Sequence, residues 1–187
     1  GAGEGGWRGV LEGLGVRVLT LNRAALEAVT SEPAAMAPAL GTGQWAKLAL
    51  FNLTQYSRIV YLDADAIVTA NVDELLESRA MEGRAFGAAG DYAAGAVLVI
   101  NPGKEAFEDI AEALSSAPRY LYGEQDFLND HFRGDERRST LDAKHYHCLA
   151  EDFGYEDRIK DPTSTCKVVE FASCSREGGV RWKPWMD

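Results

Sequence analysis

The chain reads as an α/β domain with a mixed, mostly parallel sheet flanked by helices. Three observations predict this. Short apolar runs rich in β-formers, such as Ile59-Val60-Tyr61-Leu62 and Gly95 to Ile100, alternate with segments of helical period such as 104–116, and that alternation is the pattern of an α/β sheet. Turn signals punctuate the alternation, most clearly Asn101-Pro102-Gly103. The length of 187 residues, with 46% hydrophobic and 26% charged, is enough for one packed core. No internal repeat or low-complexity tract divides the chain, so residues 1–187 are expected to form a single domain.

The elements follow in order. Residues 1–15 are Gly-rich, and Leu11 and Leu14 mark the end of a short helix. Val16 to Leu21 alternates, which predicts a strand. A polar connection containing Ala and Pro runs from Asn22 to Gly43. Trp45, Leu48, Phe51 and then Leu53 or Tyr56 recur at helical spacing, so 44–56 reads as a helix, with Lys47 one turn before Phe51. The run 59–62 fits a strand buried on both faces, and it leads straight into Asp63-Ala64-Asp65. Ile67 and Val68 resume extended structure, and Asn71 is a candidate N-cap for a helix near 72–78 whose first turn holds Asp73 and Glu74. Strands are expected at 85–89 and 95–100. A helix over 104–116 gathers Phe107, Ile110, Ala111 and Leu114 on one face, and a short one over 124–132 turns Phe127 and Leu128 inward. The charged stretch 133–144 reads as a loop, 167–172 as a late strand, and Trp182-Lys183-Pro184-Trp185 closes the chain.

Bulk properties remove whole classes of function. A formal net charge of −10 argues against nucleic-acid binding, which needs a basic footprint against phosphates. A phosphate-bearing small ligand remains compatible, given a cation or a few Lys and Arg at the site. No apolar run approaches the ~20 residues of a membrane span, and no secretory h-region is visible. The first residue is Gly rather than Met, which reads as a processed form or a fragment. Cys148, Cys166 and Cys174 are odd in number and lack CxxC spacing. They are expected to be plain thiols, which leans towards a reducing compartment, the cytoplasm ahead of the Golgi lumen.

Asp63 and Asp65 are the residues that carry chemistry. In extended backbone, residues two apart point the same way, so both carboxylates can converge at the C-terminal end of a strand. Open α/β sheets place ligands there. Two such charges about 4 Å apart repel by roughly 4 kcal/mol at an effective dielectric near 20. They therefore favour a divalent cation or a shared proton, and hard oxygen donors suit magnesium or manganese. A loop with two solvated acids is the plainer alternative, and a metal-dependent phosphohydrolase is a third.

Several motifs in fixed order extend this. Trp45-Ala46-Lys47-Leu48, the run Leu53 to Asp65, Asn71-Val72-Asp73-Glu74-Leu75, Gly95 to Pro102, Gly123 to Asn129 and Lys183-Pro184-Trp185 together resemble glycosyltransferase family eight. These are retaining transferases that include glycogenin, galactinol synthases and plant xylan glucuronosyltransferases. The resemblance covers roughly residues 10–187. It implies the nucleotide-diphospho-sugar transferase (GT-A-like) fold, a UDP-sugar donor, manganese or magnesium, and a carbohydrate, polyol or protein acceptor. No nucleic acid and no membrane segment are expected; a homodimer is left open. By resemblance, Asp63 and Asp65 are the metal-binding pair, with Asp63 also near the ribose. Lys47 approaches the sugar and phosphate, Lys183 contacts the diphosphate, and Gly95 lies in the donor-binding motif. Glu124 and Gln125 line the donor sugar and reacting face.

Four departures qualify the match. Nothing before Val16 matches the family's opening strand and uracil-binding segment, so the domain reads as incomplete at its N-terminus. The third metal ligand, a His in the family, falls on Glu170. The sugar-contacting amide is replaced by Ala93, and Asp-Gln-Gly becomes Glu124-Gln125-Asp126. The alternative to an active hexosyltransferase is a catalytically decayed binding module. Other readings stay open for single residues. Lys47 can be a solvated helix lysine, Glu124-Gln125 a helix start, and Trp182 and Trp185 packing residues. His131, His145 and His147 read as structural or exposed; His145 and His147 share a face if extended, which keeps a metal role in view.

Overall fold

The computed structural model describes residues 4–30, 44–90, 95–117, 120, 123–149 and 165–171. Its centre is β4 (Val97–Ile100), every residue of which is buried. Alternation along a strand sends successive side chains to opposite faces. Leu98 and Ile100 accordingly join one apolar cluster, and Val97 and Val99 join another.

Around β4 lie β1 (Ile59–Leu62), β3 (Phe86–Ala89) and β5 (Arg138–Leu141), in the order β1-β4-β3-β5. β4 runs antiparallel to both β1 and β3, and β3 pairs with β5 in parallel. A second sheet has the order β2-β7-β6, formed by β2 (Ala66–Val68), β7 (Val168–Glu170) and β6 (Cys148–Leu149). There β2–β7 is antiparallel and β6–β7 parallel. The mixed sheet is as expected. Its parallel character is confined to β3–β5 and β6–β7 among the described strands, because β4 lies between β1 and β3 and opposes both.

Helices cover one face of the first sheet. They are α2 (Arg23–Thr30), a 3₁₀ helix over Gln44–Asn52, α4 (Lys104–Ser115) and α5 (Glu124–His131); the chain also forms α1 (Glu4–Gly13) and the one-turn α3 (Glu74–Glu77). Between them and the sheet, Trp45, Phe51, Phe86, Phe127 and Phe132 are all under 2% exposed. The Phe86 and Phe132 rings lie 4.9 Å apart and Trp45 and Phe127 6.1 Å apart, contacts worth about 0.5–1.5 kcal/mol each beyond the area they bury. Asn101 secures the turn after β4: its side chain donates to the carbonyls of Met81 and Arg84 and accepts from Arg58 Nε.

Several sequence expectations are corrected. Residues 16–21 form no strand. Val16 and Leu19 are 46% and 41% exposed, so the alternation has no sheet to pack against. The polar connection after them contains α2, whose first N–H groups are capped by Asn22 Oδ1 at 2.9 and 3.4 Å and which buries Ala25 and Val29. The helix expected over 44–56 is 3₁₀ and ends at Asn52. β1 is half-buried rather than buried on both faces, because it ends the order of its sheet. The charged stretch 133–144 holds β5 and the start of α6 (Ala143–Tyr146).

The cysteine expectation also fails. Cys148 and Cys166 form a disulfide, with Cα atoms 6.3 Å apart across 18 residues of sequence. Spacing rules could not see this, because the adjacency is made by β6 pairing with β7. Bonds of this kind persist in oxidising surroundings, so the leaning towards a reducing compartment has no support here. Cys174 lies outside the described residues.

Candidate active site

Asp63 continues the β1 ladder by one residue, its N–H donating to Ala96 O at 2.9 Å. The chain then turns, and Ala66 N–H donates to Asp63 O at 3.0 Å. Asp63-Ala64-Asp65 is thus a tight turn between the two sheets and not extended backbone. The acids converge because the turn folds them together, which corrects the mechanism inferred from the sequence while keeping its outcome. β2 then pairs with β7, setting Ala66 opposite Glu170, while Phe171 N–H donates to Asp65 O at 2.9 Å. These bonds deliver Glu170 to the turn. One carboxylate oxygen each from Asp63, Asp65 and Glu170 lie within 4.8 Å of one another.

Lys47 enters from the helical side. Its Nζ lies 3.0 and 3.1 Å from the two Asp63 oxygens and 2.8 Å from Glu124 Oε1. It also donates to Gly95 O at 3.4 Å and sits 5.4 Å from the centre of the Tyr61 ring. Its side chain is 12% exposed, so the solvated-lysine reading is set aside. Burial pulls the Lys47 pKa down, but Glu124 and Asp63 outweigh it and hold the ammonium above its usual value. Glu124 has one cation for a partner where Lys47 has two acids. Burial therefore pushes the Glu124 carboxyl up, and Lys47 reverses this only in part.

Glu124 opens α5 behind Gly123, whose φ of 66° lies in the left-handed region that glycine adopts without strain. Glu124 is 3% exposed, and its Oε2 is buried with no hydrogen-bond partner among the described residues. Gln125 Oε1 accepts from Gly95 N at 3.3 Å. Gly95 is where these groups meet. A Cβ there would come within 3.1 Å of Glu124 Oε1 and 3.3 Å of Lys47 Nζ, tighter than ordinary contact.

Two neighbours were not singled out from sequence for these roles. Tyr61 donates its hydroxyl to Asp63 Oδ1 at 2.6 Å, and burial first, then Asp63, raise its pKa far above the usual phenol. The signal was available, since Tyr61 precedes Asp63 by two on the same strand face. His147 Nε2 lies 2.8 Å from Glu170 Oε2, through a β6–β7 adjacency that no local pattern reveals. His131 stacks on Phe127 and contacts Asp109 at 3.1 Å, a structural position as expected. His145 faces Asp142. Lys183, Ala93, Trp182 and Trp185 lie outside the described residues.

No family model matches the chain. Mouse glycogenin-1 is 32% identical over 145 residues, 74% of this chain and 40% of that protein. The Arabidopsis thaliana UDP-glucuronate:xylan alpha-glucuronosyltransferase 1 is 29% identical over 125 residues, 67% of this chain and 18% of that protein. The chain belongs to glycosyltransferase family eight. It spans two fifths or less of the length of these two relatives. Among solved structures, the galactosyltransferase LgtC with donor and acceptor sugar analogs superposes with a TM-score of 0.60. It is 17% identical, covering 89% of this chain and 71% of that one, a likeness that shows the GT-A fold. In this family-eight chain, Lys47, Asp63, Asp65, Gly95, Glu124, Gln125 and Glu170 thus form one continuous polar cluster.

Proposed function

We propose that this chain is the donor-binding part of a retaining hexosyltransferase that takes a hexose from a UDP-sugar with divalent-metal assistance and passes it to a carbohydrate, polyol or protein acceptor. The supporting observation is the convergence of Asp63, Asp65 and Glu170 within 4.8 Å. The donor set is all oxygen, which fits manganese or magnesium. When bound, the ion supplies Lewis-acid stabilisation of the charge that develops on the leaving diphosphate.

The chain's own groups do the rest. Asp63, Asp65 and Glu170 would hold the cation, and by the family resemblance Asp63 would also approach the ribose. Lys47 is shared between Asp63 and Glu124 and offsets one of their two charges, and by the family resemblance Lys183 would add a point charge on the diphosphate oxygens. Glu124 keeps one buried oxygen without a partner among the described residues. Leaving a buried acceptor unsatisfied costs about 1–3 kcal/mol, and a hydroxyl of the donor sugar relieves it. Gln125, held by Gly95, lies beside the reacting face. The Arabidopsis relative's name specifies UDP-glucuronate, which makes UDP-glucuronate the first donor to try.

The test is release of UDP from a panel of UDP-sugars with and without Mn2+, using wild type and Asp65→Asn. Metal-dependent release that falls at least a hundredfold in Asp65→Asn supports the proposal. Donor binding without release, or release indifferent to both metal and Asp65→Asn, contradicts it.

A further inference from the structure

By the family resemblance Glu170 falls on the position of a histidine ligand, and a second histidine, His147, contacts its carboxylate. His147 Nε2 is 2.8 Å from Glu170 Oε2. An ionised carboxylate only accepts hydrogen bonds, so the imidazole N–H is the donor. The side chains of His147 and Glu170 are 23% and 11% exposed, so the bond is partly buried. A carboxylate has several lone pairs, so the bond to His147 leaves others free to ligate a cation shared with Asp63 and Asp65.

We propose that His147 is a positioning residue that fixes the rotamer of Glu170 and so completes the metal site. This rests on the metal-binding reading above. A glutamate side chain has more rotamer freedom to lose than an imidazole. Replacing the family's histidine by glutamate therefore introduces a looser ligand, and the bond to His147 takes that freedom away. It is the reverse of the usual pairing, in which a ligating histidine is oriented by a carboxylate behind it. The backbone of His147 is itself held on both sides. Lys167 N–H donates to His145 O at 2.7 Å, and Cys148 is bonded to Cys166. Both links join the His147 segment to the residues that lead directly into β7, which carries Glu170.

The experiment is a double-mutant cycle on Mn2+ affinity, titrated calorimetrically with UDP present, using His147→Ala, Glu170→Ala and the pair. Losing an outer partner of a metal ligand typically costs 10–100-fold in affinity. We expect His147→Ala to fall in that range, His147→Gln to lose less than about tenfold, and the double variant to bind no worse than Glu170→Ala alone. Gln places an amide N–H near the lost imidazole nitrogen, so recovery by Gln separates positioning from general loss of structure. Wild-type affinity in His147→Ala, or fully additive losses in the double variant, overturns the proposal. So does nitrogen coupling in the spin-echo spectrum of the bound Mn2+, which would make His147 a ligand itself. Wild type that takes up no Mn2+ overturns the metal site, and this inference with it.

Discussion

At the scale of single residues, Lys47 and Glu124 set the electrostatics of the site. Lys47 is shared between Asp63 and Glu124, and both ends of the Lys47–Glu124 pair are nearly dry, at 12% and 4% exposed. Removing one partner of such a pair typically costs about 3–5 kcal/mol, because the other charge stays buried. Lys47→Met is expected to lose stability in that range at pH 8, measured by denaturant unfolding. The loss depends on pH in a defined direction. Glu124 has a folded-state pKa above its ordinary 4.5, and removal of Lys47 raises it further. The folded state then holds a proton that the unfolded state releases, so the variant weakens as pH rises above 4.5. Its deficit should shrink at pH 5 and grow by pH 8. The part that Lys47 itself supplies in wild type is present below its ordinary value of 10.5 and is lost as pH rises through its higher folded value. A deficit that is flat between pH 5 and 8 would contradict this account. Most of this cluster was legible in the sequence by family likeness. Tyr61 was legible by strand alternation alone, and His147 was not, since its partner is 23 residues away on a neighbouring strand.

At the scale of elements, the short second sheet assembles the site. β7 has three residues, yet it joins Asp65 to Glu170 on one side and to the His147 segment on the other. Three-residue strands contribute few ladder hydrogen bonds, so the Cys148–Cys166 disulfide is a substantial part of what holds this sheet. A loop of similar length is worth about 3 kcal/mol of chain entropy. Cys166→Ser, or reduction of wild type, should lower unfolding stability by about 2–4 kcal/mol. Unchanged stability on reduction would show that the bond is not formed in solution. Glu74 offers a further tie on this sheet. It accepts from Lys167 and from Tyr146, at 2.7 Å for the latter, and Lys167 first, then Tyr146, hold its carboxyl at about 2. Strand β1 was readable from an unbroken apolar run of β-formers, and the long amphipathic α4 from its helical period. The strand expected at 16–21 was misread because a few residues of alternation cannot say whether a sheet edge is waiting for them. The loop expected at 133–144 was misread because its charge hid β5, whose place is set by pairing with β3.

At the scale of the whole molecule, the fold separates stability from chemistry. The aromatic core between the helices and the first sheet carries the packing, while the polar cluster sits where the first sheet hands over to the second. The acidic balance of the chain, −10 overall, sets an unfavourable field for a diphosphate. The cluster adds four carboxylates against Lys47 among the described residues. On the proposed reading a divalent cation held jointly by Asp63, Asp65 and Glu170 offsets that field for a nucleotide-sugar. The most direct measurement is anomalous diffraction at the manganese edge from crystals grown with Mn2+ and UDP. The account predicts one strong peak coordinated jointly by Asp63, Asp65 and Glu170, with the diphosphate completing the shell. A peak bound elsewhere, or UDP bound with no metal between those three carboxylates, would contradict it.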